Sequence, residues 1–450
     1  MNVFILAGGS GKKVWPYNTC RNKSMVPIGN KSILQHYVDA LKKTTVDKVF
    51  VIAVKHVQEI RHCFKDENLV EVIGLDHSIG SGDTLLQVQE YFNDDDVVMY
   101  GDCVVREVDI IRFINNKESH ILLGKLHQES TDAICAEVDD GYLKTFWGHP
   151  RGNNWQYFAA AFRLKKDVFK YLQTTEMYFN KTKVGVGSPE ELYLENAIND
   201  MVKDDYQFSC MISDYQIFDI DKPWHILEAN EDYNRAITQN ISMKLGCNSK
   251  VSPLAKIKGQ VILGDNSLIG DYVVINGNVI IGDNTTIDNG AIIGDACIIG
   301  NNCEIRNYCK IGDGCSIGDD CIVDHTSELL GGILFNKVYL YHYGEFYGIV
   351  GRNTDLGAGT TVGTLRFDDG KTVHCIRGKK QIPNTYSNAC FLGDYSRTGV
   401  GAILLPGCKV GCKSVVGSGV ILNEDVEDET LIYPKQELVK VKWGDDKYGW

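Results

Sequence analysis

The residues with the clearest chemical potential open the chain. Leu6-Ala7-Gly8-Gly9-Ser10-Gly11-Lys12-Lys13 continues an apolar run at residues 3–7 into a glycine-rich turn that ends in two lysines. A strand that empties into such a turn presents backbone N–H groups to a phosphate, and the lysines neutralise its charge. Lys23 follows past Pro16, and Pro27-Ile28-Gly29-Asn30-Lys31 leads into a helical pattern. A second apolar run, residues 97–100, ends in Gly101-Asp102, and Asp219 follows Phe218 in a third segment. Each feature alone also has a structural reading, as a turn glycine or a capping aspartate.

These residues need a scaffold that brings them together. Residues 3–7, 48–54 and 97–100 read as strands and residues 32–42 as a helix. Alternation of this kind predicts a largely parallel, layered α/β sheet with ligands at the carboxyl ends of its strands.

A different period takes over after Gly246. Val251, Ile257, Leu263, Ile269, Ile275, Ile281, Ile287, Ile293, Ile299, Ile305, Ile311, Ile317 and Val323 fall on every sixth position. Neither a helix nor a plain strand has that period, whereas a parallel β-helix buries one large side chain per short strand. Gly follows the aliphatic at 264, 270, 282, 294, 300, 312 and 318, where corners are expected to need backbone freedom. The register breaks at 326–347 and 363–389 and closes with Leu392, Thr398, Leu404, Val410, Val416 and Leu422. The expected organisation is an α/β domain at 1–235, a linker at 236–249, a β-helix at 250–428 with loop insertions at 326–347 and 363–389, and a tail at 429–450.

Cys297, Cys303, Cys309, Cys315 and Cys321 form a ladder two places before the aliphatic positions. Fifteen cysteines invite a metal cluster or a disulfide framework. One stacked column of thiols lacks the CxxC pairs of zinc sites, so small core residues are the expectation. Free thiols in such number imply a reducing compartment. Met1 is followed by no basic n-region or cleavage site, and no apolar run approaches spanning length, so a cytoplasmic protein without membrane partners is expected. The net charge of −13 disfavours a general nucleic-acid binder.

The glycine loop, Lys23 and Pro27 together resemble the signature of sugar-1-phosphate nucleotidyltransferases. Val97-Val98-Met99-Tyr100-Gly101-Asp102 resembles that family's metal-binding strand end, and the segment from Phe218 to Asn230 resembles its second metal segment. Gly357-Ala358-Gly359-Thr360, Leu365-Arg366-Phe367-Asp368 and Leu405-Pro406-Gly407 resemble the acetyltransferase half of archaeal-type bifunctional N-acetylglucosamine-1-phosphate uridylyltransferases. The resemblance implies a Rossmann-like nucleotidyltransferase domain followed by a left-handed β-helix. Its implied substrates are an NTP and a sugar-1-phosphate, its cofactor Mg²⁺ on Asp102 and Asp219, and its assembly a homotrimer. Lys13, Lys23 and Asp102 take the catalytic positions. Leu6, Ala7, Gly8, Gly9, Gly11, Lys12, Gly80 and Ser81 take the nucleotide-binding ones. Acetyl-CoA is the acyl donor if the second half is active, with a site at Tyr341, His342, Ala358 and Thr364.

The chain departs from that pattern at several places. Lys13 stands where the family has arginine, which loses the planar fork that grips two oxygens. Asn22 replaces a proline, and Gly148-His149-Pro150 replaces the Glu-Lys-Pro sugar-phosphate motif. Gly80-Ser81-Gly82-Asp83-Thr84 matches the nucleotide-base loop only loosely. Tyr341 occupies the acetyl-transfer histidine's position with His342 one residue away, and Thr364 replaces an asparagine. Three functions remain open on these residues: a nucleotidyltransferase, a nucleotide-sugar-binding or regulatory homologue, and an acyltransferase acting on an amino sugar.

Overall fold

The apolar run that opens the chain lies inside a mixed nine-stranded sheet. The computed structural model describes residues 1–152, 154–179 and 191–444. β1 (Asn2–Ala7), β2 (Lys48–Ala53), β3 (Val70–Gly74) and β4 (Asp96–Tyr100) run parallel in the spatial order β3-β2-β1-β4. The sheet continues with β5 (Ile121–Lys125), β6 (Ile134–Asp139), β7 (Tyr142–Gly148), β8 (Tyr157–Leu164) and β9 (Cys210–Ile212). β8 runs antiparallel to β4, β5 and β6.

β1 reads as an unbroken apolar run because both of its faces are covered. Val3 and Ile5 enter one core and Phe4 and Leu6 another, as the two-residue period of a strand requires. On one face lies α1 (Ile33–Leu41), capped by Ser32, whose Oγ accepts from Gln35 N–H at 3.1 Å. The last helix before the solenoid, α2 (Pro223–Thr238), starts with proline at its first turn.

From Lys244 onward the chain winds as a left-handed parallel β-helix. Val261 pairs with Val279 and Val279 with Cys297, so three hexads complete one coil. The aliphatics from Leu263 to Val323 are at most 1 % exposed, while Val251 and Ile257 at the open first turns are only half buried. Ile299 lies between Ile281 and Ile317 of the neighbouring coils. Ile299→Ala should therefore cost about 2–5 kcal/mol, read as a lowered denaturation midpoint.

Three expectations for this half need correction. The glycines after the aliphatics do not carry the corner conformation. A Cβ on Gly264 would lie 2.4 Å from Asp283 Oδ1 and from the Gly282 carbonyl carbon, so close approach of the next coil selects glycine there. The left-handed corners fall on other residues, among them Asn266 (φ 55°), Asn284 (φ 53°) and Asn302 (φ 55°), whose short polar side chains tolerate that region, but also Tyr272 (φ 61°) and Tyr308 (φ 63°). Nor do the cysteines form one column. Because a coil holds three hexads, Cys297 and Cys315 share one face, Cys303 and Cys321 the next, and Cys309 the third; all are buried and free.

Finally, 326–347 is no insertion. Glu328–Leu334 pairs with Lys310–Ile311 and Ser316–Ile317 on one side and with Glu345–Val350 on the other, crossing a corner as one continuous strand. Residues 363–389 do leave the coil, which resumes where Cys390 pairs with Gly348. They carry a hairpin, His374–Ile376 with Lys379–Gln381.

Polar side chains fix the α/β domain against the solenoid. Arg21 donates to Asp394 Oδ2 at 2.6 Å and lies 4.5 Å from the Phe335 ring centre, both charges being buried. Tyr17 Oη donates to the Ile349 carbonyl at 2.9 Å, and Asn234 donates to the Gly314 carbonyl at 3.1 Å. The 363–389 loop adds Gln381 Nε2 to Asp132 at 2.8 Å and Thr385 to Glu228. Among the described residues, no helix is long and apolar enough to cross a membrane.

Candidate active site

The parallel strands deliver the chemistry to one edge. β1 and β4 are in register at Leu6 and Tyr100, so the glycine loop and Asp102 leave the sheet side by side. Gly101 permits this: a Cβ there would lie 2.9 Å from the Leu6 carbonyl oxygen and 2.8 Å from Ser24 Oγ. Gly11 turns the loop at φ 61° into the short helical turn Lys12–Val14. Asn22 caps the next turn, Lys23–Met25, accepting from Ser24 N–H at 2.9 Å. Its amide donates to the carbonyls of Ala7 and Lys55, each at 3.0 Å. Asparagine in the family's proline position thus pins Lys23 to the glycine loop by hydrogen bonds.

Lys23 is the hub. Its side chain is 9 % exposed, and its ammonium lies 2.8 Å from Asp102, 3.4 Å from Asp221 and 3.7 Å from Asp219. Against the cost of burial, these carboxylates hold its pKa above the ordinary lysine value. Asp221 also accepts from Lys13 Nζ at 2.7 Å. Asp219 and Asp221 are displaced in opposite directions. Burial pushes Asp219 up to about 7, against the pull of Lys23. Asp221, although buried, is held well below the usual range by Lys23, Lys13 and Lys222.

The donor set suits a hard divalent ion. One oxygen each of Asp102 and Asp219 and the Cys103 sulfur lie within 4.8 Å of one another. Burial raises the Cys103 thiol well above its ordinary value, which makes the two carboxylates the better donors for such an ion.

A cavity of about 190 Å³ adjoins the lysines, lined by Lys12, Lys13 and Trp15 from the α/β domain and by Cys375, Ile376, Arg377 and Lys409 from the solenoid. Lys409 is buried and paired with Asp425 at 2.8 Å, whereas Arg377 is exposed at the hairpin tip.

A family model described as nucleotidyl transferase matches residues 2–235. The chain belongs to the nucleotidyl transferase family. A second model, described as the GMPPB C-terminal domain, matches residues 239–337. A "Bifunctional protein GlmU" of Methanococcus maripaludis strain C7 is 30 % identical over 447 residues, 98 % of this chain and 99 % of that one. The S2 strain's protein of that name is 27 % identical over the same shares. A "Bifunctional sugar-1-phosphate nucleotidylyltransferase/acetyltransferase" of Sulfurisphaera tokodaii is 27 % identical over 435 residues, 95 % and 98 % of the two chains.

Within this family member the expected site residues are brought together unevenly. Lys13, Lys23, Asp102 and Asp219 share one cluster, with Lys12 exposed beside it. The segment containing Gly80 and Ser81 flanks the loop: a Cβ on Gly8 would meet Thr84 Oγ1 at 3.0 Å and Ser78 Cβ at 3.6 Å. Ser81 Oγ itself accepts from Leu194 N–H at 3.0 Å. His149, in the altered sugar-phosphate position, is near enough for Lys13 to help burial lower its pKa.

The second expected site does not assemble as a pocket between two breaks, because 326–347 is solenoid and the 363–389 loop turns toward the α/β domain. His342 is exposed at a left-handed corner (φ 63°), its ring 4.5 Å from that of His325. Its carbonyl accepts from Gly359 N–H at 2.7 Å, which places Ala358 at the same corner. Thr364 lies at the loop base, its carbonyl accepting from Asn388 Nδ2 at 3.0 Å.

Sequence reasoning missed Asp221, Lys222, Gln128 and Arg377. Asp221 had a signal: it stands two residues after Asp219 in the same segment, and the fold brings both carboxylates to Lys23. Gln128, whose Nε2 donates to Asp219 at 3.3 Å, and Arg377 had none, because folding alone brings them here.

Proposed function

We propose that this chain transfers a nucleotidyl group from an NTP to a sugar-1-phosphate and releases pyrophosphate. The observation that carries the reading is the convergence of Asp102, Asp219 and two lysines on the glycine loop's edge of the sheet. Asp102 and Asp219 would hold Mg²⁺, which when bound supplies positive charge against the triphosphate. Backbone N–H groups of residues 8–11 cradle the phosphates, and Lys12 and Lys13 neutralise them. A phosphate oxygen of the sugar-1-phosphate attacks the α-phosphorus in line; a new P–O bond forms, the bond to the β-phosphate oxygen breaks, and pyrophosphate leaves with the electron pair. The protein's part is position and charge, the terms on which phosphoryl chemistry depends most. Lys13 enters the reaction only by exchanging Asp221 for a phosphate.

Incubation with Mg²⁺, each of four NTPs and a panel of sugar-1-phosphates, read as pyrophosphate release, tests this. Release with one NTP and one sugar class is expected; nucleotide binding without release for every pair would favour the binding-homologue reading. Acetyl transfer is no part of the proposal, since His342 is exposed at a corner and packs its ring at a tilt against that of His325.

The assembly belongs to the same proposal. Exposed Tyr272 and Tyr308 recur on the solenoid two coils apart, and three such prisms packed in parallel would cover them. Sedimentation should give a trimer; a monodisperse monomer at micromolar concentration would count against it.

A further inference from the structure

Beside the carboxylate cluster, three ligating side chains converge that the transfer reaction does not use. His127 lies just beyond β5, and His225 and Glu228 are three residues apart on α2, hence on one helix face. One ligand atom from each lies within 4.8 Å of the others, and the two imidazole rings meet nearly edge to face at 5.1 Å.

Two further observations point to a ligand. Both ring nitrogens of His127 are buried and neither makes a hydrogen bond of good geometry, the Asp219 backbone being the nearest polar neighbour to act on the ring. His225 Nδ1 lies 2.9 Å from the Asp219 carbonyl and 3.2 Å from the Asp221 backbone nitrogen, so the 219–221 backbone engages this nitrogen of the ring. In the tautomer with its proton on Nδ1 the ring donates to that carbonyl, and Nε2 keeps its lone pair. A metal-bound histidine is held in this way, by its second nitrogen on a carbonyl. Glu228 accepts from Thr385 with Oε1, which leaves Oε2.

We infer that His127, His225 and Glu228 bind a borderline divalent transition ion of the Zn²⁺ class, at a site separate from the hard-ion carboxylates. Two imidazole nitrogens and one carboxylate oxygen suit such an ion, with a fourth position open to water. Mg²⁺ prefers an all-oxygen shell and would not choose this set. Separations of up to 4.8 Å exceed the ligand–ligand edge of about 3.5 Å implied by Zn²⁺ bond lengths. The ion would draw the side chains inward by small rotations. It would tie the end of β5 to α2, engage the 363–389 loop through Thr385, and brace Asp219 through its carbonyl. It positions; it does not touch the transferred phosphate.

Full-length protein stripped by a chelator is titrated with Zn²⁺, and separately with Co²⁺ followed by visible absorption. One tight equivalent and the strong visible band of low-coordinate Co²⁺ are expected. Glu228→Gln, nearly isosteric, should weaken binding at least tenfold, about the loss seen when a metal site's shell is damaged. His127→Ala should remove the band, and Asp102→Asn should leave both readings unchanged. If His127→Ala does not fold by circular dichroism, Glu228→Gln decides. No Co²⁺ band, unaltered affinity in Glu228→Gln, or binding lost only in Asp102→Asn would overturn the site. Pyrophosphate release is not read here, so failure leaves the transfer proposal standing.

Discussion

Asp102→Asn should lower pyrophosphate release by a factor of about 10³ or more, equivalent to about 4 kcal/mol of transition-state stabilisation. The change removes one formal charge from the pair of carboxylates proposed to hold Mg²⁺, and a carboxamide is a poor ligand for a hard ion. The fold should hardly notice. Asp102 is a third exposed and its recorded bond is to Lys23 at 2.8 Å, which an amide oxygen can still accept. A thermal midpoint close to wild type with lost turnover assigns the residue to the reaction; a large fall in the midpoint with intact turnover assigns it to structure. The wild-type Mg²⁺ requirement should also move with pH. Asp219 titrates at about 7, so below that pH a proton must leave before the ion binds, and half-maximal Mg²⁺ rises as the pH falls through that value.

The two halves of the molecule were legible for different reasons. A hexad repeat is one-dimensional information: each coil stacks on the one before, so the register of Leu263, Ile269 and Ile275 already specifies which side chains meet. The glycines after them were misread because their cause is inter-coil contact, visible in the approach of Gly264 to Asp283 and not in local φ. The break at 326–347 was misread because Glu328–Leu334 replaces a corner with continuous strand, which destroys the period while preserving the pairing. In the α/β domain, Asp102 and Asp219 could be picked out by their strand-end motifs. Their shared counterion could not, because Lys23 joins residues 102, 219 and 221 only through tertiary structure. The role of the 363–389 loop was equally hidden. Nothing local in Gln381 or Thr385 marks Asp132 or Glu228 as its partner.

That counterion supports the second large effect. Lys23→Met preserves length and apolar stem but leaves Asp102, Asp219 and Asp221 facing one another without the central ammonium. Lys13 and Lys222 still cover Asp221, at 2.7 Å and 3.6 Å, so the burden falls on Asp102 and Asp219. Stripping one partner from a buried ion pair costs about 3–5 kcal/mol. Asp102 is 33 % and Asp219 26 % exposed, so solvent screening reduces the expected loss to about 2–3 kcal/mol. The sign of the pH dependence follows. Burial already raises Asp219 and the variant removes the opposing pull of Lys23, so its folded pKa lies above its unfolded one; stability is greatest at low pH, where it is protonated, and declines as the pH rises through the raised value. A divalent cation should substitute for the missing charge, stabilising the variant more than the wild type in proportion to ln(1 + [Mg²⁺]/Kd). Melting curves of both proteins with and without Mg²⁺ measure this directly. A variant as stable as wild type without metal, or one that gains no more from Mg²⁺ than wild type does, would mean that Lys23 is not what holds the carboxylates together before the ion arrives.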